Sequence, residues 1–152
     1  MIKNKIIIVS FFIILASCGF KVVNKNEQIN FYISEIKTSG DKRISYKIKN
    51  KLSYFDDKNK KNIKLELETK KIKSVKEKNI KNEITKYNLQ ILTEVKVIDD
   101  SGEISSTFSI SKNGNISVEN QHSKTLDNEK KLIEDLSDQV SKSIISELII
   151  KI

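Results

Sequence analysis

Apolar and polar positions along this chain fall into two rhythms, one with a period of two and one with a period near four. Alternation begins at Ile29, with Ile29, Phe31 and Ile33 on one side and Asn30, Tyr32 and Ser34 on the other, which predicts a strand. Thr38-Ser39-Gly40-Asp41 breaks it, and Asp41 is placed to cap a helix. Ile44, Ile48, Leu52 and Phe55 then form one apolar stripe on a helix of about four turns. Asp56 to Asn62 reads as a charged loop.

Ile63, Leu65 and Leu67 alternate with Lys64, Glu66 and Glu68 in a second strand, continued less regularly through Ile72 and Val75. After a polar turn at Lys76 to Asn82, a long third strand sets Tyr87, Leu89, Ile91, Val95 and Val97 against Lys86, Asn88, Gln90, Glu94 and Lys96. Asp99-Asp100-Ser101-Gly102 predicts a hairpin. Ile104, Phe108 and Ile110 make a fourth strand, Asn113-Gly114 signals a turn, and Ile116 and Val118 prolong the sheet beyond it. Thr125 or Asp127 can cap a closing helix with Glu129 in its first turn. Leu132, Leu136, Val140, Ile144 and Leu148 recur every four residues along it, flanked by Ile133, Ile145 and Ile149. The expected fold is α+β, in the order β-α-β-β-β-α: a four-stranded, mostly antiparallel sheet with two helices packed on one face and a polar face left open.

The first 17 residues do not belong to that domain. Met1 to Lys5 is short and positive, and Ile6 to Leu15 is an apolar run too short to span a bilayer. Leu15-Ala16-Ser17-Cys18-Gly19 resembles the bacterial lipobox, in which an aliphatic residue and two small residues precede a cysteine. Small residues admit the peptidase to extended backbone, and a thiol can become a thioether to diacylglycerol. The resemblance implies lipid on Cys18 and cleavage before it; since Gly19 is not Asp, it also implies transfer to the outer membrane. The chain therefore divides into a signal at 1–17, a lipidated cysteine and tether at 18–28, and one domain at 29–152.

Charge changes the picture less. The chain carries +8, and the loss of Lys3 and Lys5 with the signal leaves +6. The excess has two readings: A/T-rich codons, which favour Lys, Asn and Ile together, or an anionic partner. Nucleic acid is not that partner for an exported chain. With one cysteine, no disulfide can form within it.

Catalytic equipment is not legible. His122 is the only histidine and is expected in a polar loop, without HxH or HExxH spacing, as a solvated loop residue. No GxSxG elbow is present, Glu66 and Glu68 sit among lysines, and Gly102 and Gly114 are read as turn residues. A non-enzyme with no metal and no cofactor beyond covalent lipid is expected.

Cys18-Gly19-Phe20-Lys21-Val22 resembles the Cys-Gly-Phe-x-aliphatic opening of the LptE family of lipopolysaccharide-assembly lipoproteins. Ser74-Val75 followed by a polar break and Tyr87-Asn88-Leu89 is similar to that family's second-to-third strand region, and Glu129 before Leu132 and Leu136 to its closing helix. The chain departs from the family in lacking proline. The resemblance implies two helices on a four-stranded sheet and a plug inside the LptD β-barrel that aids barrel assembly and lipopolysaccharide insertion. Lysine suits lipid A phosphates; Lys86 and Lys96 on the third strand, with Lys64 and Lys70 beside them, are the candidate contacts, against a bland reading as solvated lysines. The alternative is a free-standing periplasm-facing lipoprotein that binds an anionic ligand or cell-wall component in a concave apolar pocket, where a plug should show a broad polar surface.

Overall fold

The computed structural model describes residues 30–53 and 61–152. The signal, Cys18, the tether and Phe55 lie outside the described residues. Four strands follow the expected order: β1 (Phe31–Gly40), β2 (Lys61–Lys78), β3 (Ile84–Ile98) and β4 (Ile104–Ser117), with helix α1 (Lys42–Leu52) after β1 and helix α2 (His122–Lys151) after β4. They form one sheet in the order β1-β2-β3-β4; the first pair is parallel and the other two are antiparallel.

Both helices pack on one face, and the core lies between them and the sheet. Ile63, Leu65 and Leu67 of β2 and Leu89, Ile91, Val95 and Val97 of β3 are buried against Ile44, Ile48 and Leu52 of α1 and Leu136, Val140, Ile144 and Leu148 of α2. β2 and β3 bury alternate residues and each helix one stripe, so a single layer of helices covers them. Thr69 and Thr93 close this layer as a buried cross-strand pair, their hydroxyls 3.3 Å apart. The helices are also clipped together at the surface, where Lys47 pairs with Glu134 and Lys51 lies 2.7 Å from Asp138.

Asp41 caps α1 as its position predicts, its carboxylate accepting from the Arg43 and Ile44 amides at 3.1 Å. Several local expectations are corrected. Asn113-Gly114 is not a turn: β4 runs straight through it, Gly114 opposite Leu89. A Cβ at Gly114 would stand 2.6 Å from Leu132 Cδ1, so this glycine makes room for a helix side chain rather than bending the backbone. The closing helix starts earlier than predicted, with Gln121 at its N-cap; Thr125 is inside it and its hydroxyl accepts from the Glu119 amide at 2.9 Å. Glu129 consequently falls in the second turn, not the first.

Other shifts come from bulges. An irregularity between Ile33 and Glu35 leaves Ser34 unpaired and brings Ile36, rather than Glu35, to the core. A second one at Ser105 sets Ile104 opposite Ile98 on the open face, out of phase with Phe108 and Ile110. β2 is also longer than read, beginning at Lys61 and reaching Lys78, and the turn after it narrows to Asn79–Asn82, with Asn82 at φ 64°.

Candidate functional site

The open sheet face and the far end of the β2–β3 hairpin hold the candidate lysines. The four lysines singled out in the sequence all lie on the open face, because β2 and β3 keep their alternation through Lys64, Lys70, Lys86 and Lys96. They do not converge. Lys86 and Lys96 are ten residues apart on one strand, about 34 Å at strand rise. Each also has a carboxylate neighbour. Lys64 lies 3.9 Å from Glu35, Lys70 2.8 Å from Glu68, and Lys86 3.0 Å from Glu77, while Lys96 pairs across the strands with Glu66. The Lys70 hydrogen bond holds the Glu68 carboxyl below the usual carboxylate range and raises the Lys70 ammonium in return. Glu68 also faces Glu94 directly across the strands. The middle of the face is therefore charge-balanced rather than basic.

The net positive charge sits elsewhere. Residues 70–86 hold seven lysines against Glu77 and Glu83, a net +5 out of the chain's +8. This stretch is the outer part of β2, its turn and the start of β3, and it projects beyond the core: from Lys70 to Lys78 no β2 residue is buried. Ile80 at the turn is fully exposed, and Ile72 and Val75 are half-exposed on the strand leading to it. Among the described residues, Lys76, Lys78 and Lys81 have no carboxylate within 4 Å. The signal for this end was present as lysine density; periodicity reading passed over it because charge does not follow the strand's alternation.

Two of these lysines are used structurally. Past Thr69 the helix-facing positions of β2 become Lys71 and Lys73, which reach the carboxylate of Glu129 at 3.5 and 2.7 Å. Lys73 Nζ also stands 4.4 Å from the centre of the Tyr87 ring. Glu129 is 13% exposed, and the Lys73 hydrogen bond, then the two lysine charges, hold it below the ordinary glutamate range against the opposing effect of burial. A glutamate with a lowered folded pKa adds stability that is full above its unfolded value and fades as pH falls through the folded one. Glu129→Gln should lose about 1 kcal/mol near neutrality, and the wild-type advantage should begin to shrink on acidification below about pH 4.3, disappearing only once the pH is below the lowered folded value. Urea unfolding of both proteins at pH 7 and pH 3.5 checks this; a difference independent of pH would contradict it.

His122 is the first residue of α2 and is exposed, rather than standing in a loop. Among the described residues no three His, Cys, Asp or Glu side chains group as metal ligands, and no helix is long and apolar enough to cross a membrane. On the helix side, an open trough of about 890 Å³ is lined by Lys42, Arg43, Lys47 and Lys51 of α1, with Tyr46 and Glu134.

No family model matches the chain, and no curated protein matches it by sequence. Solved structures do. Lipoprotein B of Nitrosomonas europaea superposes with a TM-score of 0.63 at 11% identity, covering 84% of this chain and 88% of that one. A lipoprotein of Caulobacter crescentus gives 0.56 at 13% identity, covering 75% and 87%. Rare lipoprotein B of Shewanella oneidensis gives 0.51 at 15% identity, covering 74% and 95%. This chain shares their fold. At that identity the agreement lies in element order and layering, not in particular surface side chains.

Proposed function

We propose that the chain is an outer-membrane lipoprotein, tethered by lipid on Cys18, that plugs and helps assemble an LptD-type β-barrel and assists lipopolysaccharide insertion at the cell surface. The observation that carries the reading is the β-α-β-β-β-α domain, shared with proteins named lipoprotein B, behind a start that resembles a lipobox. A barrel lumen is polar, and a plug needs a hydrophilic exterior over a packed core. The open face answers this with paired charges along β2 and β3 and with serine, threonine and asparagine along β4. A lipid tether presents such a domain to a membrane partner at high effective concentration.

Within this reading, the basic end of the β2–β3 hairpin meets lipid A phosphates. Lys70 and Lys86 belong to that end, beside Lys76, Lys78 and Lys81, while Lys64 and Lys96 lie toward the other. Replacing Lys64, Lys70, Lys86 and Lys96 together by Gln should weaken capture of labelled lipopolysaccharide on the order of tenfold, or 1.4 kcal/mol, and leave barrel association unchanged. Lys70→Gln with Lys86→Gln should account for most of the loss. Unchanged capture by the quadruple variant removes the contact. Detergent extraction that recovers the chain without a barrel-sized partner removes the plug.

The α1 trough favours a second reading, a free-standing lipoprotein that takes an anionic ligand between Lys42, Arg43 and Lys47. Loss of lipopolysaccharide capture on Arg43→Gln, with the hairpin lysines intact, would select it.

A further inference from the structure

We propose that the outer edge of β4 pairs antiparallel with β4 of a second copy of this chain, joining two four-stranded sheets into one of eight. The inference goes beyond the plug reading and needs no barrel partner. β4 ends the sheet: it bonds to β3 on one side, and among the described residues its other side has no backbone partner. Such an edge offers a row of amides and carbonyls to another strand, and proteins blunt long edges with charge, proline or bulges. β4 has few of these devices, one irregularity at Ser105 and one charge at Lys112. Beyond the irregularity at Ser105 it stays in unbroken register with β3 from Ser106 to Ser117, a run of about 40 Å. Its fourteen residues contain no proline and one charge, Lys112, in a chain that is 32% charged. The opposite edge is guarded, since β1 is shorter, bulged at Ser34 and carries Glu35 and Lys37.

Side chains point to a second copy as the occupant. Thr107, Ser109, Ser111, Asn113, Asn115 and Ser117 line the open face of β4, every one a small hydroxyl or amide. Such a row is complementary to itself, because each member both donates and accepts and none repels its image. On the helix face Phe108 and Ile110 are only half-buried at the rim, and a paired strand would cover them.

Charge sets the direction. The β3–β4 turn at the start of β4 carries Asp99, Asp100 and Glu103, while the end of β4 adjoins Lys86, in register with Ser117, and the basic hairpin beyond it. Antiparallel pairing lays the acidic turn of each copy beside the basic end of the other. Parallel pairing would set like against like. Neighbouring strands are about 4.8 Å apart and Lys86 lies one strand in from the edge, so it stands about 10 Å from the other copy's β4, near the screening length of about 8 Å at physiological salt.

Single cysteines introduced at Ser109, Ser111 and Asn113 test the pairing in the full chain in its own membrane, with wild type, whose only thiol is Cys18, as background. Mild oxidation should yield a disulfide-linked dimer on a non-reducing gel, strongest at the position nearest the two-fold axis. Ser74→Cys, on the open face of β2, should stay at background. In detergent, Ser109→Lys with Ser111→Lys should shift the particle mass from dimer to monomer without changing the far-UV circular dichroism. Cross-linking no stronger at β4 than at Ser74, or a wild-type mass already that of one copy, would overturn the proposal.

Discussion

Gly40→Ala is expected to destabilise the domain by on the order of 3 kcal/mol or more, while Gly102→Ala, at nearly the same backbone angle, loses about 1 kcal/mol. Gly40 has φ 84° and Gly102 φ 85°, so both substitutions carry the strain of a left-handed alanine. They differ in what the new methyl meets. At Gly102, in the β3–β4 turn, nothing lies within 4 Å. At Gly40 the Cβ would stand 2.1 Å from the backbone carbonyl oxygen of Thr69, which also accepts the Asp41 amide at 2.8 Å. That carbonyl belongs to the strand paired with β1, so relief requires β1 to part from β2 at the point where the chain turns into α1. Urea unfolding of the two variants side by side measures the difference. Equal losses would mean that the close approach at Gly40 contributes nothing.

Cys18→Ala is expected to remove the chain from the outer membrane altogether. The lipobox reading has residues 1–17 cleaved and Cys18 acylated, and each buried methylene contributes about 0.8 kcal/mol, so two or three acyl chains hold the protein on the membrane almost permanently. Without the thiol neither lipid transfer nor the cleavage that follows it can proceed. Intact-mass measurement should find wild type starting at acylated Cys18, and the variant unacylated with residues 1–17 retained. An unmodified Cys18 in wild-type protein from the outer membrane would end the anchoring reading, and with it the placement at a barrel.

Sequence pattern reaches far into this fold and stops short of its surface. The buried stripe of α2 and the alternation of β2 and β3 were legible because burying a one-sided element leaves one face for it to use. The cap at Asp41 was legible because its partners are two and three residues away. Where the partner is distant, pattern misled. Asn113-Gly114 has the local chemistry of a turn, yet Leu132, eighteen residues on, needs the space that a side chain at Gly114 would fill. The four open-face lysines share a face as their spacing predicts, but their neighbouring carboxylates come from two strands, including Glu35 beside Lys64 across the β1–β2 pair.

By itself, then, the sequence determined the element order, the single-faced core and the start that resembles a lipobox, since each follows from periodicity or from residues adjacent in the chain. The tertiary structure alone decided that the open face is charge-balanced, that Lys71 and Lys73 turn inward to Glu129, that the surplus charge projects on a hairpin, and that β4 is the outer edge of the sheet among the described residues. The reason is physical. Burial is imposed on each element separately, whereas charge pairing and edge exposure depend on which strands become neighbours, and that is settled only when the sheet assembles.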